Sequence, residues 1–422
     1  MKNFYPGKKE KIIIVGGGVI GLSAAYYLQK RNHDIIVIDD RDITNNCSFG
    51  NMGLLAPSDF IPLASPGAIA EGLRSLLNRA SPVYIKPRLN LGFLRWALQF
   101  YKCSTQQNVD KNTPHLKNLL DLSRKLIDEI RDDIGDVFNM EEIGCVQMYH
   151  SQKLYEEKLR IVDAQRSSEI VVERLDREEL QKREPDVELD IYGAFLFKSD
   201  AHLHPGKFMI AMKNYLEKKG VTFQLNTKVI DFEKDQKTIR SVVTDKGTFS
   251  ANNILLSTGS WLPQLAKKLG INLLLQPGKG YSYTYDHVEK NIRYPALLMD
   301  AHCAVTPWNH ALRIGGTMEF SGIISKILIN RMYNIYNAVK LFYPGLKINF
   351  PSKDKIWTGL RPVTPDGLPY IGKAEDFDNI FIAGGHAMLG ISQGAATGKI
   401  ISDLVEKTIP EINTSAFKIK RF

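Results

Sequence analysis

Cysteine is scarce in this chain: its 422 residues include only four, and none has another cysteine close by in the sequence. The absence of a Cys-x-x-Cys pair or of any zinc-type spacing excludes structural zinc sites of the usual kinds. Unpaired, widely separated thiols are typical of proteins from reducing compartments. The four are Cys47, Cys103, Cys145 and Cys303.

The sequence also lacks any dense cluster of basic residues. Its 55 lysines and arginines outnumber its 46 aspartates and glutamates by nine, but residues of both signs alternate along the chain. A mildly basic, solvated surface is therefore expected, and no nucleic-acid partner is predicted. With 44% hydrophobic and 24% charged residues, the composition is that of a folded globular protein. The length predicts about two to three domains.

Long uninterrupted apolar segments are absent as well. The most apolar run, 12–28, contains four glycines, which argues against a signal-peptide core and against a membrane span of about 20 residues. A second apolar segment, 91–100, predicts a core helix, and a surface helix that touches a membrane or a partner is the alternative. We therefore expect a cytoplasmic protein, with peripheral contact with the cytoplasmic face of a membrane as an open alternative.

The glycine-containing run has the order of a dinucleotide-binding unit. Residues 12–15 are β-branched throughout and predict a buried strand, which leads directly into a Gly-x-Gly-x-x-Gly turn at 16–21. A helical pattern follows, and a second buried strand at 34–38 ends at an acidic residue. Strand, glycine turn, helix, strand and acid are the parts that such a unit requires.

Each residue of this unit has a physical reason. Gly16 permits the tight turn, and Gly18 lets the backbone approach a pyrophosphate. Gly21 lets the helix pack closely on its strand, and the helix N-terminus attracts phosphate. Asp39 can accept hydrogen bonds from a ribose diol, whereas Asp40 is the weaker candidate and fits a solvated turn. These residues alone do not distinguish NAD from FAD.

Three later segments suit close contact between the backbone and a large ligand. They are a polar, glycine-containing loop at 48–53, a strand ending at Thr258-Gly259, and a buried strand that meets glycines at the start of the last helix. The dinucleotide domain is therefore predicted to be discontinuous, with a substrate domain inserted in two pieces. The expected division is 1–60, 195–265 and 355–422 for the dinucleotide domain, and 61–194 and 266–354 for the substrate domain.

Two local patterns have competing interpretations. His202 and His204 would lie on one strand face, but without a third ligand of matching type nearby a role without metal is favoured, and no metal site is predicted. Thr113 followed by Pro114 predicts the start of a long helix with Thr113 as its N-cap.

Seven segments follow one another in a fixed order over nearly the whole chain: GGGVIG (16–21) with Asp39, SFGNMG (48–53), PLASPG (62–67), QPGKGYS (276–282), RIGGTMEF (313–320), WTGLRPVTPDGLPYIG (357–372) and GGHAMLG (384–390). This set resembles the FAD-dependent D-amino-acid oxidase superfamily, and most closely its bacterial D-amino-acid dehydrogenase branch. The resemblance implies a doubly wound, Rossmann-like α/β domain for FAD and an inserted α+β substrate domain on a mixed sheet. It also implies noncovalent FAD, although Cys47 stands where the branch commonly has Thr or a similar small residue.

The resemblance implies a role for Arg361 in binding the substrate carboxylate, a contact that suits a planar guanidinium; a structural ion pair is the alternative. Tyr281, Tyr283 and Arg313 are candidates for the substrate pocket, each with a structural role as the alternative, and His386 fits a cofactor scaffold better than a proton-transfer base. The residues expected along FAD are Gly16, Gly18, Val19, Ile20, Gly21, Asp39, Asp40, Ser48, Asn51, Met52, Gly53, Val229, Thr258, Gly259, Gly385, His386, Met388, Leu389, Gly390 and Ile391.

The implied reaction is oxidation of a D-amino acid at Cα to an imino acid, which hydrolyses to a 2-oxo acid. Electrons would pass to a quinone or another non-oxygen acceptor, an expectation from the resemblance alone. The sequence leaves open a D-proline or D-hydroxyproline dehydrogenase and a glycine or sarcosine-type oxidase. A tRNA-modifying flavoenzyme of the same superfamily is a more distant alternative, because no basic and aromatic RNA-binding module is attached.

Overall fold

The computed structural model describes residues 9–69, 72, 81–86, 88, 90–164, 171–324 and 326–422. Its strands, in chain order, are β1 (Lys11–Val15), β2 (Asp34–Ile38), β3 (Leu54–Leu55), β4 (Val83–Ile85), β5 (Cys145–Tyr149), β6 (Val172–Leu175), β7 (Gly193–Phe197), β8 (Ala201–His202), β9 (Thr222–Gln224), β10 (Val229–Asp235), β11 (Thr238–Thr244), β12 (Gly247–Ser250), β13 (Asn253–Leu256), β14 (Gln276–Tyr285), β15 (Ala296–Leu298), β16 (Cys303–Trp308), β17 (Ala311–Phe320), β18 (Trp357–Val363), β19 (Tyr370–Lys373) and β20 (Ile380–Gly384). Its α-helices are α1 (Val19–Lys30), α2 (Leu91–Cys103), α3 (Gln106–Ile134), α4 (Gln152–Ala164), α5 (Arg177–Arg183), α6 (Pro205–Lys218), α7 (Leu262–Lys268), α8 (Ile329–Phe342) and α9 (Gly390–Val405).

A six-stranded sheet contains the predicted glycine-turn unit. Its strand order is β19-β20-β13-β1-β2-β9, and all neighbours are parallel except the edge strand β19. Both faces of β1 are covered, which explains its unbroken β-branched sequence: Ile12 and Ile14 pack in one core cluster, Ile13 and Val15 in another. The strand, turn, helix and strand predicted from the sequence are confirmed.

Helices α1, α3, α6 and α9 form the layer on one face of this sheet. The contact between α1 and α9 is close because α9 presents glycines to it. A Cβ added at Gly398 would lie 2.4 Å from the backbone carbon of Ser23, and one at Gly394 would lie 3.0 Å from Val19. The last helix therefore packs directly on the first. The antiparallel sheet β10-β11-β12 and α7 cover the opposite face.

A nine-stranded mixed sheet forms the second part of the molecule. Its order is β18-β14-β17-β16-β15-β5-β7-β6, and β4 pairs with β17 outside this order. The β15–β5 and β17–β4 pairs are parallel, whereas the other pairs are antiparallel. Helix α8 packs against one face of this sheet. The predicted fold class, a doubly wound α/β domain with an α+β part on a mixed sheet, is confirmed.

The pairing of two strands differs from the expected domain division. β7 pairs with β5 and β6, and β18 pairs with β14, so both belong to the nine-stranded sheet. The expected boundaries at 195 and 355 assigned most of β7 and all of β18 to the dinucleotide domain. Hydrogen bonding between strands distant in the chain decides this assignment, and it is not visible in the local sequence. We keep the two-domain division as a proposal, with these two strands moved.

The predicted start of the long helix is wrong. Helix α3 begins after Thr105, whose side chain accepts a hydrogen bond from the backbone N–H of Asn108 at 3.3 Å. Pro114 lies inside the helix. The helix continues through the proline because buried residues on both sides of it, Val109 and Leu116 among them, hold it against the core.

The apolar segment at 91–100 is helical, as predicted, but only one side of α2 is buried. Phe93 and Trp96 pack inward, whereas a row of large apolar side chains faces outward. In the part of the chain that the structure describes, no helix combines the length and the hydropathy needed to span a bilayer. The outward row consists of Leu91, Leu94, Leu98 and Tyr101.

Candidate active site

The turn between β1 and α1 requires glycine at specific positions. Gly16 has φ +112°, and a Cβ there would lie 2.5 Å from the carbonyl oxygen of Ser257. A Cβ at Gly21 would lie 1.9 Å from the carbonyl oxygen of Gly16. By contrast, apart from its chain neighbours, a Cβ added at Gly18 would meet only the hydroxyl of Ser48, at 3.4 Å, among the residues that the structure describes. The first and last glycines allow the turn to fold, and the middle one leaves its backbone open to a ligand.

Asp39 lies at the end of β2 beside this turn. Its carboxylate accepts hydrogen bonds from the backbone N–H of Gly17 at 2.6 Å and of Arg41 at 2.9 Å. Burial raises the pKa of Asp39 above its ordinary value, although these two bonds oppose the shift. The adjacent Asp40 is exposed. Asp39 is therefore fixed in orientation at the position where a ribose is expected.

A cavity of about 610 Å³ opens at the carboxyl ends of the parallel strands, between them and the edge of the nine-stranded sheet. In open α/β sheets this is where ligands bind. Most of the residues expected along FAD contribute to its wall. They are Gly16, Gly18, Val19, Ile20, Asp39, Asp40, Ser48, Asn51, Val229, Thr258, Gly259, His386, Gly390 and Ile391.

The expected residues outside the wall shape the surrounding loops. Gly53 has φ +80°, and a Cβ there would lie 2.0 Å from the carbonyl oxygen of Leu203. Gly385 has φ +90°. The carbonyl oxygen of Met388 accepts a hydrogen bond from the Asn51 side chain at 3.1 Å, which joins the 48–53 loop to the start of α9. This second group consists of Gly21, Met52, Gly53, Gly385, Met388 and Leu389.

The polar groups of this cavity fit a dinucleotide. The N-cap residues of α1 and α9 make no side-chain cap hydrogen bond. In α1 the backbone N–H of Val19 donates to the hydroxyl of Ser48 at 3.0 Å, and the N–H groups that follow it, like those at the start of α9, can be offered to phosphate or to ring oxygens. The hydroxyl of Thr258 is buried and has no hydrogen-bond partner among the described residues. Cys47 is also in the wall, and burial raises the pKa of its thiol to about 11, so it remains protonated at neutral pH. A protonated thiol is a weak nucleophile, in keeping with noncovalent binding.

Arg361 lies on β18 between wall residues Leu360 and Pro362, but it is not itself part of the cavity wall. It is near enough to the wall residue Cys47 for the two side chains to interact electrostatically. Its Nη1 donates a hydrogen bond to the carbonyl oxygen of Thr317. Across the strand pair, a Cβ added at Gly280 would lie 2.4 Å from the guanidinium carbon, so glycine is needed for the side chain to lie over β14. Burial lowers the pKa of Arg361.

No carboxylate among the described residues forms an ion pair with Arg361. The alternative role of Arg361, a structural ion pair, would need a carboxylate partner, and the described part of the chain provides none. A half-buried guanidinium with a single neutral acceptor retains the capacity to bind an anion in a bidentate manner.

The remaining candidates for the substrate pocket lie in different surroundings. Tyr281 is buried in the core of the nine-stranded sheet and donates a hydrogen bond to Glu319 at 2.6 Å, so it has a structural contact instead of a place in the cavity wall. Tyr283 and Arg313 line a second, smaller cavity. His386 is 4% exposed and its Nε2 lies 2.9 Å from the hydroxyl of Thr397. Burial lowers the pKa of His386 to about 3, so the ring is neutral at physiological pH and suits a scaffold.

The two histidines of the His-x-His pattern have separate environments. Nδ1 of His204 accepts a hydrogen bond from the backbone N–H of Lys207 at 3.2 Å and caps α6. His202 is fully buried, and burial lowers its pKa to about 4. Within the described ranges, no group of three or more His, Cys, Asp or Glu side chains is placed to hold a metal ion.

Several wall residues were not found by sequence reasoning. Ile323 and Ile324 reach the cavity from a loop whose position is held by Lys279, because its ammonium group donates to the carbonyl oxygen of Lys326 at 2.7 Å and pairs with Glu319 at 3.0 Å. No local pattern predicts this contact. A second group of missed wall residues lies on the turn and helix after Thr258-Gly259, and the predicted strand end at these two residues could have pointed to them. That group consists of Trp261, Gln264, Leu265 and Lys268.

Comparisons with known proteins agree with this geometry. A D-amino acid dehydrogenase from Helicobacter pylori is 32% identical over 416 residues, covering 98% of this chain and 99% of that protein. One from Rhizobium rhizogenes is 30% identical over 418 residues, covering 98% of this chain and 100% of that protein.

Two solved structures share the fold at lower identity. Glycine oxidase from Geobacillus kaustophilus has a TM-score of 0.76 at 21% identity and covers 98% of this chain and 99% of its own. L-Proline dehydrogenase from P. horikoshii has a TM-score of 0.75 at 17% identity and covers 98% of each chain. The family model described as FAD dependent oxidoreductase matches residues 11–404. The chain therefore belongs to the family of FAD-dependent oxidoreductases.

Proposed function

We propose that this protein is an FAD-dependent dehydrogenase that oxidises D-amino acids to 2-oxo acids and passes the electrons to a quinone or another non-oxygen acceptor. The observation that carries the proposal is Arg361, a half-buried guanidinium near the cavity-wall residue Cys47 and without an ion-pair partner among the described residues. The names of the two full-length relatives support the choice of D-amino acids.

The chain's own residues would bind and orient the amino acid. Arg361 would take the carboxylate and fix the direction of Cα relative to the cavity. Because a fixed cation disfavours a second positive charge nearby, the amino group would react in its neutral form. When bound, FAD supplies the hydride acceptor, and the glycine turn with Asp39 would hold its ADP half without a covalent bond.

The protein would also exclude water from the site and leave space for the substrate. Strands β14 and β17 carry glycines beside Arg361 and Met52: a Cβ at Gly280 would collide with the Arg361 guanidinium, and one at Gly315 would lie 2.6 Å from the sulfur of Met52. Side chains at these positions would displace Arg361 and Met52. With its pKa lowered to about 3 by burial, His386 is too weak a base to take a proton from the substrate. Transfer of the Cα hydrogen as hydride from a neutral amine requires no base, because the hydrogen leaves with both electrons of the C–H bond. The imino acid would then hydrolyse in water.

The same site is compatible with other substrates. Glycine oxidase and L-proline dehydrogenase share this fold, so a glycine or sarcosine-type oxidase and a D-proline or D-hydroxyproline dehydrogenase are the alternatives. They differ from the proposed activity in the volume beside Arg361 and in the substitution of the amine. No observation in the structure favours a tRNA substrate.

Anaerobic reduction of bound flavin separates these activities. The purified FAD-loaded protein would be mixed without oxygen with D- and L-amino acids, glycine, sarcosine and the hydroxyproline isomers, and absorbance near the flavin band followed. We expect bleaching by D-amino acids and none by their L-enantiomers. Bleaching by glycine, sarcosine or cyclic amino acids alone would replace the proposed substrate, and a yellow protein that no compound reduces would contradict amino-acid oxidation.

Peripheral contact with a membrane, where a quinone would be met, forms part of the proposal. It is supported by the exposed face of α2, whose outward apolar row would insert at the lipid surface. Co-sedimentation with phospholipid vesicles tests it: the wild type should pellet and a Leu94→Ser, Leu98→Ser variant should remain in the supernatant. Equal behaviour of the two proteins would remove this part of the proposal.

A further inference from the structure

A second cavity lies on the other side of the 48–53 loop. Its volume is about 330 Å³. Ser48 and Asn51 line the dinucleotide cavity, whereas Phe49 and Gly50, between them in the chain, line the second one. The loop therefore separates two cavities. The wall of the second consists of Phe49, Gly50, Ser282, Tyr283, Thr284, Asp286, Arg313, Lys355 and Trp357.

Arg313 is the charged group at the base of this cavity. It is 6% exposed, and its Nε donates to the hydroxyl of Thr284 at 2.8 Å. Its Nη1 donates to the carbonyl oxygens of Phe49, at 3.2 Å, and of Asn51. The structure gives Nη2 no hydrogen-bond partner among the described residues.

This guanidinium also lacks a counter-ion. No carboxylate of the described residues lies within ion-pair distance of it, and burial lowers its pKa only to about 10, so it is charged at neutral pH. Burying a cation without an anion costs free energy, which an anionic ligand on the vacant nitrogen would offset.

The two arginines cannot hold the same small molecule. Along β14, Arg361 pairs with Gly278 and Arg313 pairs with Thr284. Six residues of strand separate the two pairing positions by roughly 20 Å along β14. The side chains lie closer together, because the Arg361 guanidinium lies over Gly280 and Nε of Arg313 donates to Thr284, four residues further along β14. The ring of Trp357 fills the space between Gly50 and Gly359, since Cβ atoms added at these glycines would lie 2.1 Å and 2.0 Å from it. Arg313 is therefore not a second contact for a carboxylate held by Arg361.

The lining indicates the chemistry of a ligand. Lys355 adds a second positive charge at the exposed rim, and Phe49, Tyr283 and Trp357 offer aromatic surface. The volume is at the lower end of the range for small-molecule sites, about 300–1,000 Å³. We propose that this cavity binds a small carboxylate with an apolar or aromatic substituent, with Nη2 of Arg313 as the partner of the carboxylate. The inference does not depend on the proposed reaction.

Isothermal titration of the FAD-loaded protein with benzoate and propionate tests this site. In an Arg361→Met background, which removes the other candidate for a carboxylate partner, one binding event should remain. Adding Arg313→Met should abolish it. Since Nη1 of the same guanidinium holds the loop of the dinucleotide cavity, binding should also shift the flavin absorbance, and this shift should disappear with Arg313→Met.

A variant at the exposed rim tests the site without relying on the correct folding of the buried Arg313→Met variant. Lys355→Glu should weaken benzoate binding by about fivefold, as expected for reversing one exposed charge. Lys353→Glu, on the same exposed turn but outside the cavity wall, is the matched control and should bind as the parent does. Absence of binding in the Arg361→Met protein, or binding that neither Lys355→Glu nor Arg313→Met changes, would overturn the proposal.

The same titration identifies the source of the carboxylate. Asp286 is an exposed carboxylate at the rim and would accept an ammonium group. If the natural ligand is an amino acid, D-alanine should bind more tightly than propionate, and Asp286→Asn should remove the difference. Equal binding of the two compounds in both proteins would assign the cavity to simple carboxylates.

Discussion

Replacing Arg361 with methionine is expected to lower kcat/KM for D-amino acids by about 10²- to 10³-fold, because truncating one partner of a buried charged hydrogen bond costs roughly 2–5 kcal/mol. The loss should be seen largely in KM, since the carboxylate is bound before and during reaction. Among the described residues, the Arg361 side chain hydrogen-bonds only to the carbonyl oxygen of Thr317, so the fold should tolerate the change. Steady-state kinetics with an artificial electron acceptor, together with the flavin spectrum, would measure both effects.

Two further variants test whether the loss of activity is specific to the guanidinium of Arg361. Arg361→Lys keeps the charge but offers a point donor in place of a planar pair, so it should recover only part of the activity. Arg240→Met removes an exposed arginine, paired with Asp235 on the surface, and should behave as wild type. Loss of FAD from Arg361→Met, or kinetics equal to wild type, would show that the residue does not bind the substrate.

Replacing Gly21 with alanine is expected to abolish tight FAD binding. The added Cβ would lie 1.9 Å from the carbonyl oxygen of Gly16, in the turn that presents backbone to the pyrophosphate. It would also lie 3.0 Å from the hydroxyl of Ser257, which follows β13 and donates a hydrogen bond to the same carbonyl oxygen. To relieve this overlap, α1 must move away from β1, and overpacking of this kind costs about 1–3 kcal/mol. If this free energy destabilises the FAD-bound conformation of the turn, the affinity for FAD drops by up to about 100-fold.

The measurement is the absorbance of the purified protein, followed by titration of the apoprotein with FAD. Gly67→Ala is the matched control, because apart from its chain neighbours no atom of the described residues lies within 4 Å of a Cβ added there. It should be yellow and bind FAD as wild type does. A Gly21→Ala protein that purifies yellow with unchanged affinity would mean that this turn does not set the position of the cofactor.

Much of the dinucleotide part could be predicted from the sequence because its signals are local. β1, the glycine turn, α1, β2 and Asp39 follow one another within thirty residues, and steric rules for glycine and burial of β-branched residues act over that distance. The start of α3 was missed for the opposite reason. Thr113 and Pro114 form a locally good helix start, but the packing of Val109 and Leu116 against the core extends the helix through them.

The sequence by itself determined which residues could hold a dinucleotide, and only the tertiary structure decided which cations are left without a counter-ion. Arg361 and Arg313 carry the same charge and both lie on strands, and the sequence made both of them candidates for the substrate site. Their surroundings are set by register along β14, where Gly278 meets the first and Thr284 the second. Such pairing joins residues far apart in the chain, and its free energy comes from the whole sheet and the core beneath it.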